Sequence, residues 1–142
     1  MTPQRLESRR SLLIAVLDTL VPAGEGFPES GALALEHVLA IADASPPSRA
    51  LLSRALDAID ASFERLSVAE REDMLRRVED REPQAFEALV RHAYDGFYSH
   101  PATIARLGLE PGPVQPRGHR IEPAALPDLT RVAGRGPIYR RA

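Results

Sequence analysis

The sequence predicts an all-α fold, a bundle of about five amphipathic helices followed by a Pro-rich extended C-terminal arm. Three observations carry this. Apolar residues recur at three- and four-residue spacing from Leu6 to Phe97, the pattern of helices with one buried face. No stretch shows the alternation of a half-buried strand. From Pro101 the periodicity stops, and residues 101–142 hold seven Pro and five Gly, which excludes long helices there. At 142 residues, 44% of them hydrophobic and 27% charged, the chain fits one structural domain. Its expected parts are a bundle over 1–100 and an arm over 101–142, packing on the bundle or on a partner subunit.

Each helix has its own signals. Thr2-Pro3 is a hydroxyl cap followed by Pro at the first helical position. Leu6, Leu13, Val16, Leu17 and Leu20 then make one apolar stripe, and Pro22 ends the helix. Two Gly and two Pro in residues 22–28 mark a loop. Ser30 is the expected cap of a second helix, with Leu35, Val38, Leu39 and Ala42 as its inner face and Ser45-Pro46-Pro47 as its stop. A third helix starts near Ser48 and carries Leu52, Ala55, Leu56, Ile59, Phe63 and Leu66. Ser67-Val68-Ala69-Glu70 is a capping-box sequence that opens a fourth helix through Leu75 and Val78. Glu82-Pro83 opens a fifth, for which Phe86, Leu89, Val90, Ala93, Tyr94 and Phe97 read as the inner face. The arm has room for short helical turns at Ala102 to Leu107 and around Pro127 to Val132. Its spaced apolar residues, Leu109, Val114, Ile121, Leu126 and Ile138 among them, suit a wrapping arm better than a flexible linker.

Composition removes several function classes. Formal charge is −2, which makes no case for nucleic acid as a partner. All 18 basic residues are Arg, so Schiff-base and P-loop lysines are excluded. With no Cys there is no disulfide, thiolate nucleophile or Cys-ligated metal. No apolar run approaches the ~20 residues that span a bilayer, so direct membrane insertion is not expected. Ser8-Arg9-Arg10-Ser11-Leu12-Leu13 has the look of a twin-arginine export signal. Asp18 interrupts the apolar run that follows, which favours the first helix of the folded domain over a vestigial or real signal.

The chain changes character at Tyr94-Asp95-Gly96-Phe97-Tyr98-Ser99-His100-Pro101, which gathers three of its seven aromatic residues. His92, Asp95 and His100 are the one set near it that suggests a small metal-dependent enzyme. Metal sites in bundles draw ligands from several helices, and Glu36-His37 lacks the i, i+3 spacing of such sites. Gly24-x-Gly26 and Gly134-x-Gly136 lack the strand and helix of a nucleotide-binding turn. The residues therefore assign no catalytic, cofactor-binding or metal-binding position to this chain. Tyr98 and His100 lie past the regular helical pattern and read as interface residues. A general helical adaptor or regulator with no redox partner is the alternative.

Several pieces resemble the small subunit (subunit 3, or gamma) of gluconate 2-dehydrogenase-type flavoprotein complexes. These are Leu17-Asp18-Thr19-Leu20-Val21-Pro22-Ala23, the stretch Tyr94 to Pro101, Leu107-Gly108-Leu109-x-Pro111-Gly112, Gly118-His119 and Arg135-Gly136-Pro137-Ile138-Tyr139-Arg140. They occur in the family's order, with Phe97 where Tyr is common. The resemblance implies a non-catalytic accessory subunit. FAD and the chemistry would belong to a glucose–methanol–choline-type catalytic subunit acting on sugars, sugar acids or polyols. A cytochrome c subunit would take the electrons, and the small subunit would support assembly and export. It implies a periplasmic complex, with the cytoplasm as the alternative. The expected partner contacts are Tyr98, His100, Pro101, Leu109, Pro111, His119, Pro137, Tyr139 and Arg140.

Overall fold

The computed structural model describes residues 6–110 and 129–135. Among them the architecture is a helical bundle, with an isolated bridge between Gly24 and Phe27 and no strand. The helices are α1 (Arg10–Leu20), α2 (Ser30–Ala44), α3 (Pro46–Asp57), α4 (Val68–Arg81), α5 (Pro83–Ser99), α6 (Pro101–Arg106) and α7 (Thr130–Ala133), with 3-10 turns at Leu6–Arg9 and Phe63–Arg65. One compact unit spans Met1–Pro111 and a second spans Gly112–Ala142. The first unit therefore takes in α6, which the sequence assigned to the arm. The second contains α7, a single turn preceded by the exposed Leu129. The Thr2-Pro3 opening and most of the expected arm lie outside the described residues.

The core follows the apolar stripes. Leu13, Val16 and Leu17 of α1, Val38 of α2, Leu52 and Leu56 of α3, Val78 of α4 and Leu89 of α5 are fully buried in one cluster. Each such side chain contributes about 1.5–3 kcal/mol on burial. Leu12, Leu13, Val16 and Leu17 thus spend the apolar run that follows Arg9-Arg10 on the core of the bundle.

Local chemistry sets the helix ends. Ser67 caps α4 as its sequence says: its hydroxyl accepts from the Glu70 amide at 3.4 Å, and its own amide donates to the Glu70 carboxylate at 2.8 Å. α3 starts earlier than expected, because Ser45 caps it and Pro46 occupies the first turn. It also stops at Asp57 instead of running to Leu66. The Asp60 carboxylate accepts the Ser62 amide at 2.8 Å, a local turn that competes with helix. Ile59 and Phe63 still reach the core after the break, so the apolar spacing continues through it.

The start of α2 corrects a second expectation. Ser30 is the first residue of the helix rather than its cap, and it is buried. Its hydroxyl donates to the Leu17 carbonyl at 2.6 Å, while Asp18 of α1 accepts the Gly31 amide at 2.6 Å. The orphan amide of α2 is satisfied from another helix. Gly31 is needed there, since a Cβ would lie 2.8 Å from the Ile14 carbonyl oxygen.

α2 and α5 also approach closely, at Gly96. A Cβ at Gly96 would lie 2.9 Å from the Ala34 Cα and 3.0 Å from its carbonyl oxygen, both backbone atoms that cannot swing aside. Substituting Gly96→Ala is therefore expected to cost about 1–3 kcal/mol by forcing α2 and α5 apart, and to lower Tm by several degrees. Thermal unfolding followed by circular dichroism checks it; an unchanged Tm would mean that the seam is looser than described.

The capping box gives a pH prediction. Hydrogen bonds from the Ser67 hydroxyl and amide hold the Glu70 carboxyl below its ordinary value of 4.5. A depressed folded-state value contributes stability that is whole above 4.5 and lost as pH falls through the folded value. Urea unfolding of Glu70→Gln should show a smaller stability difference between neutral pH and about pH 3 than the parent chain does.

Candidate functional site at the end of α5

The last three turns of α5 present two different faces. His92, Ala93, Gly96 and Phe97 face inward, and Tyr94, Asp95 and Tyr98 face out. Tyr94 is 43% exposed, which corrects its expected place on the inner face. The small residues Ala85, Ala88, Ala93 and Gly96 share the buried face with Leu89, His92 and Phe97. Close approach by α2 leaves no room for a larger residue at Gly96.

On the outer face Tyr94 and Tyr98 stack, with ring centroids 6.0 Å apart and planes 10° from parallel. Tyr98 also meets the edge of Phe97 at 5.2 Å. Phe97 in turn packs on Phe27 of the α1–α2 loop, with centroids 6.1 Å apart. Arg106 of α6 ties that loop down. Its guanidinium donates to the Glu25 carbonyl at 3.0 Å and lies 5.9 Å over the Phe27 ring. The rear of the tyrosine pair is thus fixed by core contacts, while Tyr98 stays 52% exposed. Further along, Leu107 and Leu109 are also exposed.

On the inner side, His92 faces His37 of α2, with ring centroids 6.4 Å apart. His92 Nδ1 lies 3.8 Å from a carboxylate oxygen of Asp95, beyond hydrogen-bond range. Both nitrogens of His92 and Nε2 of His37 are buried without a hydrogen-bond partner. Each unmet nitrogen costs about 1–3 kcal/mol, so the arrangement is expensive as it stands. Burial is the main cause that pushes the His92 imidazole below its ordinary 6.5; Arg91 and His37 add to this and Asp95 opposes it. One ligating atom from each of His37, His92 and Asp95 can be chosen so that all lie within 4.8 Å of one another.

The sequence grouped His92 and Asp95 with His100, whereas the structure brings His37 to them. His100 is the cap of α6, its Nδ1 accepting the Ala102 amide at 3.2 Å, and Pro101 is the first residue of that helix. Leu109 is 61% exposed. Pro111, His119, Pro137, Tyr139 and Arg140 lie outside the described residues. The sequence weighs His37 only as a neighbour of Glu36 and sets that pair aside; the signal for its place here is a His three positions after Ala34, at the flank of the α2 stripe. A shallow groove of about 460 Å³ lined by Asp57, Ile59, Asp60, Met74 and Arg77 lies on other elements and contains none of these residues.

Compared with known proteins, the chain matches no family model, no curated protein and no solved structure.

The cap supplies a direct test. His100→Ala should destabilise α6 by about 1 kcal/mol, and His100→Asn, which keeps a side-chain acceptor, should recover most of the loss. Amide hydrogen exchange across Ala102 to Arg106 reads the difference.

Proposed function

We propose that the chain is a non-catalytic accessory small subunit of an FAD-dependent, glucose–methanol–choline-type dehydrogenase complex. Its role is to support assembly, stability and export of the catalytic subunit, which oxidises a sugar, sugar acid or polyol. The FAD belongs to that subunit, and a cytochrome c subunit accepts the electrons in the periplasm. The observation that carries the reading is the exposed Tyr94–Tyr98 stack, which lies within one of the stretches that resemble this family. Stacked tyrosines held from behind are suited to an interface, because they offer large contact area at little entropic cost. The exposed Leu107 and Leu109, in the next matching piece, add apolar surface of the same kind.

Co-expression with an FAD-containing dehydrogenase subunit tests the reading. The expected product is a complex that carries flavin absorbance, whereas the isolated small chain is colourless and inactive. Replacing Tyr94 and Tyr98 together by Ala should weaken the complex about tenfold or more while leaving Tm near that of the parent. Removing residues 111–142 should also weaken it if the arm acts as a clamp. A partner without flavin would favour the adaptor reading, and unchanged affinity in both variants would contradict the proposed surface.

A further inference from the structure

The α2–α5 seam holds a group that the accessory role does not use. His37 projects from α2, and His92 and Asp95 from α5, three residues apart and so on neighbouring positions of that helix. We infer that His37, His92 and Asp95 form a binding site for a zinc-class divalent transition-metal ion.

The argument starts from the unmet nitrogens. The His92 side chain is only 9% exposed, and neither of its nitrogens has a hydrogen-bond partner; nor does Nε2 of His37. A neutral imidazole has one donor and one lone pair, and the lone pair is what a metal takes. Burial favours that neutral form at His92. Two imidazoles and a carboxylate are the donor set that zinc and its neighbours prefer over magnesium or calcium, which favour all-oxygen shells. Ligands from facing helices are also how bundles build metal sites.

The spacing needs only a small closure. Zinc bound at about 2.0–2.1 Å to nitrogen and oxygen sets ligand atoms about 3.3–3.4 Å apart in a tetrahedron. The three side chains already come within 4.8 Å of one another. Asp95 already has a carboxylate oxygen 3.8 Å from His92 Nδ1, and its side chain is more than half exposed, which leaves room for it to adjust. Three protein ligands leave a fourth position, open on the Asp95 side, for water or for a donor from another chain. Because the ligands come from two helices, the ion would also clasp α2 to α5.

Tag-free full-length chain titrated with Zn²⁺ and Co²⁺ tests the site. Expected are saturable binding at one ion per chain, cobalt absorption bands of a low-symmetry nitrogen–oxygen site, and a raised Tm with Zn²⁺ but not with Mg²⁺. Asp95→Asn and His37→Gln alter exposed or half-buried positions and should keep the helical circular dichroism. Each should weaken Zn²⁺ binding by about a hundredfold. Absence of saturable binding would overturn the proposal. Binding that survives intact in both variants would overturn it too, by placing the ion on other residues.

Discussion

The close approach of α2 to α5 at Ala34 and Gly96 is the constraint on which the rest depends. Opposite the Gly96 Cα lie the backbone of Ala34 and its methyl group, so nothing larger than a methyl separates the two helices at that point. That contact fixes the register of an antiparallel pair. One turn along from Gly96, it sets His92 facing His37. It also dictates which residues of α5 go inside. Gly96 meets Ala34 at the contact, Phe97 packs against Phe27, and Tyr94 and Tyr98 are turned out to stack. A looser seam would admit larger residues, rotate α5 and dissolve both the histidine pair and the tyrosine surface.

The same contact explains what could and could not be read from the sequence. Features governed by neighbours in the chain were legible. The Ser67–Glu70 box, the stripes of α1 and α2, and the Pro opening of α5 all depend on residues within a turn or two. Features governed by partners distant in sequence were not. Ser30 looks like a cap by local rules, yet the acceptor for the first turn of α2 is Asp18 of another helix. Tyr94 fits the stripe by spacing, but a stripe weighted toward large residues misplaces a face that also buries Ala85, Ala88, Ala93 and Gly96. His92 and Asp95 were found by proximity in sequence; His37, from across the seam, was not.

The two faces of α5 divide the functional account. The outward face offers an exposed aromatic surface, and the proposed docking of an accessory subunit on a flavoprotein uses that face. The inward face holds imidazole nitrogens with no partner, a cost that a packed core ordinarily avoids. A cation bridging the helices would satisfy one nitrogen of each imidazole and stiffen the support behind the tyrosines. The two ideas are independent, since either surface could function without the other.

Native-state hydrogen exchange measures the seam most directly. If the α2–α5 contact is the structural centre, the amides of Val38 to Ala42 and of Leu89 to Ala93 should be the slowest in the chain. They should exchange together, with the denaturant dependence of global unfolding. Faster exchange of α2 through a local opening, while α5 stayed protected against α3 and α4, would contradict it.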